Sequence, residues 1–166
     1  MNDARHTLRH FAAALAYRTQ KALRSASPSF AHFRAAPTVR TPHELVRHMT
    51  GVIGYARTFF HGGEWRPPDL PAFPDEVARF HEVLAGLADD IRTLTPTVSF
   101  EQLLQGPLSD AMTHAGQLAM LRRLAGDPVP PENFVFAAID PENPTSEQPE
   151  PVSPDEGWHP AQPPGR

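Results

Sequence analysis

Cysteine is absent from this chain of 166 residues. That absence excludes disulfides, iron–sulfur clusters, thiolate zinc sites and a cysteine nucleophile. Lysine is almost absent too. Of 15 basic residues only Lys21 is a lysine, a bias that reads as genome composition and not as nucleic-acid recognition. No apolar run approaches the ~20 residues that cross a bilayer. The opening residues, Met1 to His6, lack the basic-then-apolar order of a secretory leader, so the expectation is a soluble cytoplasmic protein. Common catalytic signatures are missing as well: there is no G-x-S-x-G, no P-loop and no G-x-G-x-x-G. No segment alternates as a strand between hairpin turns, and no internal repeat is visible.

What is present is unevenly spread. Residues 1–126 hold 14 basic and 11 acidic side chains, a net of +3, whereas residues 127–166 hold 1 and 8, a net of −7. Of the 20 prolines, 11 fall in that last stretch. Proline removes backbone donors and blocks helix, so the tail from Pro141 is expected to lack regular structure and to be disordered unless something pins it. Phe134, Phe136 and Trp158 are its apolar anchors. The segment Pro130 to Ile139 is too apolar for a free linker and is expected to pack on the body or on a partner subunit.

The body reads as four helices. The first runs from about Asp3 to Arg24, with Leu8, Phe11, Ala12, Leu15, Thr19, Ala22 and Leu23 at helical spacing. The second opens on Thr41 as N-cap, with Pro42 next and Glu44 three residues on, and stops at His61-Gly62-Gly63. A proline-rich connection, Trp65 to Pro74, could cross the end of a bundle. The third helix runs from about Asp75 to Leu94, on a stripe that includes Val77, Phe80, His81, Leu84 and Ile91. A short piece, Phe100 to Gln105, precedes the fourth, which runs from about Pro107 to Leu124 and ends at Gly126 and Pro128. The fourth is apolar around much of its circumference and is expected to be central. The fold class expected is all-α: a four-helix bundle over residues 1–126, followed by a Pro-rich, acidic extension over 127–166.

Polar residues in apolar stripes carry the chemistry. Asp110 and His114 are spaced i, i+4 and share one face of the fourth helix. His48 lies on the apolar stripe of the second. If those helices face each other, the three converge, and two histidines with one carboxylate bind a divalent metal while leaving positions open. The same residues allow plainer readings: His48 as a core histidine, Asp110 as a cap or a partner of the macrodipole, and Asp110 with His114 as a hydrogen-bonded pair. His43-Glu44 followed by His48 does not have the H-E-x-x-H zinc spacing. Among other histidines, His6 and His10 are i, i+4 near the start, and His81 could approach the same cavity or simply pack. His32, His43, His61 and His159 carry no readable signal. The body has no basic stripe interleaved with aromatics, so no nucleic-acid partner is expected, and Arg122-Arg123 is read as complementing a helix C-terminus.

The run Asp110-Ala-Met-Thr-His114-Ala-Gly116-Gln117, continuing to Arg122-Arg123-Leu-Ala-Gly126, resembles the last helix of the DinB-like (DinB/YfiT) four-helix-bundle family. That helix usually carries His-x-x-x-His, one residue, Gly and Gln, then an apolar run ending in Arg-x-x-Gly. Leu45-Val-x-His48 is similar to the helix that supplies the family's other ligand, and the resemblance spans roughly residues 5–126. It implies an all-helical bundle, a homodimer, and a divalent metal, zinc or nickel first and manganese or iron next. His48, Asp110 and His114 then stand at the ligand positions, with Asp110 where the family has a histidine. An aspartate there can still ligate but lowers Lewis acidity, or it marks a lapsed site. The resemblance further implies a stress-response role or transfer chemistry with a low-molecular-weight thiol, such as bacillithiol or mycothiol, on a small electrophile. The metal would hold the thiol as thiolate. Gln117 and Tyr55 are the candidate residues for orienting a ligand or contacting cofactor and substrate. A non-catalytic metal-binding protein and a structural dimer module remain the alternatives.

Overall fold

Helix α2 (Pro42–His61) begins where its capping signal places it. Thr41 Oγ1 accepts from the Glu44 amide at 3.2 Å, and Glu44 accepts from the Thr41 amide at 2.8 Å. Two donors left over by the helix are thus satisfied reciprocally. At its other end Gly62 has φ 73°, a conformation that favours glycine. The other elements of this computed structural model, which describes residues 2–155, are α1 (Asn2–Leu23), α3 (Phe73–Thr93), a short α4 (Phe100–Leu103) and α5 (Ser109–Leu124), with single 3-10 turns at Pro28–His32 and Phe134–Phe136. No strand occurs among the described residues, and no helix there is long and apolar enough to cross a membrane.

The break between α4 and α5 has a local cause. Ser99 and Gln102 form a second reciprocal cap that starts α4. Gly106 then leaves helical geometry, with φ −92° and ψ −105°, and Pro107 has no amide to carry the ladder on. A π-turn, Leu104–Leu108, takes up the residues between, so the fourth long helix starts at Ser109 and not at Pro107.

The main contacts run α2 on α3, α3 on α1, α1 on α5 and α5 on α2. Around one core the order is therefore α1, α3, α2, α5. Leu15, Met49, Ile53, Phe80, Leu84 and Leu118 lie within that core, all fully buried. The proline-rich connection was expected to be able to cross the end of the molecule. It joins two neighbours instead, because α2 and α3 pack directly together. Its path is fastened: the Leu70 carbonyl accepts from Arg47 at 2.9 Å, Pro68 accepts from Arg79 at 2.5 Å, and both arginines reach the buried carboxylate of Glu76. Trp65 lies against α2 so closely that a Cβ on Gly54 would sit 2.2 Å from the indole.

Helix α5 was expected from its composition to be central, and it is not. Ala111, Ala115, Leu118 and Leu121 are buried, but Met120 and Leu124 are more than half exposed. Alanine and methionine make a helix look apolar all round without saying which side is covered. Arg122, read from sequence as serving its own helix end, is buried and serves α1. It donates to the carbonyls of Ala22 at 3.0 Å and Arg24 at 3.1 Å. It also pairs with Asp127 at 2.9 Å, which starts the C-terminal stretch.

From Asp127 to Asp155 the chain runs along α1. Tyr17 donates to Glu132 at 2.7 Å, and Lys21 pairs with the same carboxylate at 3.1 Å. Arg24 pairs with Glu150 at 2.7 Å, and Arg9 with Glu142 at 2.5 Å. Phe134 stacks edge-on to Tyr17 and beneath Arg18. Val135 and Phe136 face outward, so only part of the apolar segment packs. Trp158 and His159 lie outside the described residues.

Candidate metal centre

His48 lies on the side of α2 that faces α5, and Asp110 and His114 lie in the first two turns of α5. The structure brings the three together. His48 Nε2 is 3.8 Å from Asp110 Oδ2, and His114 Nε2 is 3.4 Å from Asp110 Oδ1. The two imidazoles meet edge to face with centroids 4.7 Å apart. One ligand atom from each residue lies within 4.8 Å of the others, and the group could hold a metal ion. No other group of three or more such residues occurs among the described residues.

The donors are prepared for that task. Gln117 Oε1 lies 2.8 Å from His114 Nδ1 and can only accept, so the contact calls for the tautomer with its proton on Nδ1 and a lone pair on Nε2, toward Asp110. This fixes both tautomer and ring plane, the usual service of an outer partner to a ligating histidine. Burial pushes the His48 pKa below its ordinary value. The charges of Arg40 and His114 act the same way and Asp110 opposes them. A neutral imidazole is the form that ligates. His114 is nearly buried, whereas the Asp110 side chain is 49% exposed. The group therefore has a closed inner side and an open outer one.

The open side is a cleft of about 750 Å³, lined by His48, Asp110, Val52, Tyr55, Gly106 and Pro107 among others. The helix break contributes Gln105, Gly106 and Pro107 to its wall. Tyr55, seven residues after His48, stands at the rim, 56% exposed and edge-on to Phe59. Gln117 does not line this cleft; it holds His114 from the other side.

The remaining histidines are elsewhere. His81 is buried on α3 and does not line the cleft. Neither ring nitrogen makes a hydrogen bond of ordinary geometry, although the Pro144 carbonyl approaches it. His43 shares the Leu70 carbonyl with Arg47. His61 pairs with the buried Asp90 at 2.8 Å, beside Arg57. His6 and His10 gather no third donor. Arg40 escaped the sequence reading, because nothing in its spacing distinguishes a loop arginine before an N-cap from any other. Compared with known protein families, curated proteins and solved structures, the chain matches none.

Proposed function

We propose that this chain is a DinB-like four-helix bundle that binds one divalent metal through His48, Asp110 and His114 and uses it to transfer a low-molecular-weight thiol to a small electrophile. The observation that carries the reading is the convergence of two imidazole nitrogens and a carboxylate at the inner end of an open cleft. The donor set fits the ion: imidazole and carboxylate suit zinc, nickel, manganese or iron(II), and two neutral ligands with one anion leave a divalent ion net positive. A bound ion there supplies Lewis acidity, which lowers the pKa of a water or thiol beside it.

The chain's own residues do the rest. Gln117 holds His114 in the ligating tautomer. Burial lowers the His48 pKa, which favours the neutral form that ligates. Val52 and Tyr55 form an apolar wall against which an electrophile can lie, and the absence of cysteine fits a nucleophile that arrives with the cosubstrate. The non-catalytic alternative draws on one observation. Asp110 is half exposed and lies 3.8 Å and 3.4 Å from the two Nε2 atoms, so with the two histidines protonated it would pair with each of them and no ion would be needed.

The test is a thiol-transfer assay. The chain, loaded in turn with zinc, nickel, manganese and iron(II), is given a low-molecular-weight thiol and chlorodinitrobenzene. Metal-dependent product formation, lost in His48→Ala, is expected. Stoichiometric metal binding with no transfer under any metal would favour the non-catalytic reading.

A further inference from the structure

A second concavity is lined by Gln117, the residue that holds His114. It encloses about 570 Å³, within the ~300–1,000 Å³ typical of small-molecule sites. Val39, Leu45, Met120, Leu121 and Leu124 make its walls. Its polar lining is sparse: Thr38, Arg40 and Gln117, with no carboxylate. Arg40 is exposed and makes no hydrogen bond, ion pair or ring contact among the described residues. Most arginines of this chain are engaged; Arg47, Arg57, Arg79 and Arg122, for example, all hold carboxylates. Gln117 spends its carbonyl on His114, and its amide nitrogen makes no hydrogen bond among the described residues. The groove therefore offers an apolar body, one uncompensated positive charge and spare amide donors.

The groove is joined to the site at two points. The single amide of Gln117 touches His114 on one side and lines the groove on the other. Arg40 lies close enough for its charge to be felt at His48.

We propose that this groove binds a small carboxylate with an apolar body, its carboxylate held by Arg40 and the Gln117 amide, on the side of His114 that faces away from Asp110. This occupant is distinct from the electrophile placed against Val52 and Tyr55; that it acts on the centre, through Gln117 and Arg40, rests on the metal-centre reading, whereas the groove itself does not. Charge-assisted hydrogen bonds from a guanidinium and an amide select an oxyanion over a neutral group. The five aliphatic side chains select a hydrocarbon body.

Titration calorimetry of the full chain with octanoate and with octan-1-ol, each with and without prior chelation, tests this. Octanoate should saturate one site per chain about tenfold more tightly than octanol, as a hydrogen-bonded charge predicts. The preference should survive chelation, which separates it from a carboxylate ligating a metal. Arg40→Gln should bring octanoate down to the level of octanol and leave octanol unchanged. Met120→Asp, at an exposed position, should weaken both. Equal binding of octanoate and octanol, or an unchanged octanoate affinity in Arg40→Gln, would overturn the proposal. So would a dimer that Met120→Asp dissociates and that octanoate never enters, because a second copy would then occupy the groove. Metal content measured on the same preparation keeps the two readings apart. Selective octanoate binding without metal uptake defeats the metal centre alone, and metal uptake without selective binding defeats the groove alone.

Discussion

Two edges of this molecule turn polar side chains inward, and they end differently. Along α1 the Glu132 side chain is fully buried, with Tyr17 and Lys21 on its two oxygens. Along the α2–α5 edge the Asp110 side chain is 49% exposed and faces His48 and His114 at longer range, beside a cleft of about 750 Å³. In the first arrangement both carboxylate oxygens are taken by neighbouring side chains. The second leaves nitrogen and oxygen lone pairs converging on space. The lesson is that polar groups inside a fold are read by what they leave unfilled: a sealed pair fastens the chain, an open one is available for chemistry.

The comparison can be broken by truncating the carboxylate on each side. Glu132→Ala strands Lys21 and the Tyr17 hydroxyl in a dry interface and should cost about 3 kcal/mol, the lower end for breaking a buried pair. Asp110→Ala, in protein without metal, should cost less than about 1 kcal/mol, as half-exposed pairs do. Urea midpoints of both variants check this; equal losses would mean that the two edges are alike.

His81 sharpens the contrast, since it is a histidine that is buried but not joined to other donors. Burial pushes its pKa down to about 4, with the Pro144 carbonyl opposing in part. The unfolded chain protonates this side chain near pH 6.5, before the folded chain does. Its contribution is therefore constant above that pH, and stability is lost as pH falls from about 6.5 toward 4, by up to about 3 kcal/mol. His81→Leu should abolish that share of the acid loss, seen as a smaller drop in urea midpoint between pH 7 and pH 4.5 than in the parent chain.

A smaller effect is expected at the support of the open edge. Gln117→Ala frees the His114 ring and should weaken metal affinity by about 10- to 100-fold, the usual cost of losing an outer partner. It should leave folding unchanged, and competition against a chromophoric chelator measures it. The smallest effect lies away from both edges. Thr41→Ala removes one half of the α2 cap and should lower stability by about 1 kcal/mol without altering metal affinity. A loss of metal affinity there would mean that the start of α2 positions His48.

Much of this is legible in the amino-acid sequence. The reciprocal pairing of Thr41 and Glu44 starts α2 where the residue types say it must. The i, i+4 spacing of Asp110 and His114 is enough to put both on one face, and the apolar stripe of α2 puts His48 inward. Helix-to-helix order was not legible, because the stripes say which face is buried but not against which neighbour. Arg122 shows the same limit: its sequence neighbourhood points to its own helix end, and two of its partners, the Ala22 and Arg24 carbonyls, lie about a hundred residues earlier, at the end of α1 and just beyond it. The tail was half legible. Its acidic side chains meet the basic Arg9, Lys21 and Arg24 on and just beyond α1, a match that the charge split between body and tail is consistent with, while composition could not separate the packed Phe134 from the exposed Phe136.

The central claim is that the open edge is a metal site. The most direct measurement is elemental mass spectrometry of the untagged chain purified without chelator, beside His114→Ala and Asp110→Ala. The account predicts close to one divalent transition metal per chain, absent from both variants. No metal in the parent chain, even after incubation with divalent ions, would contradict it.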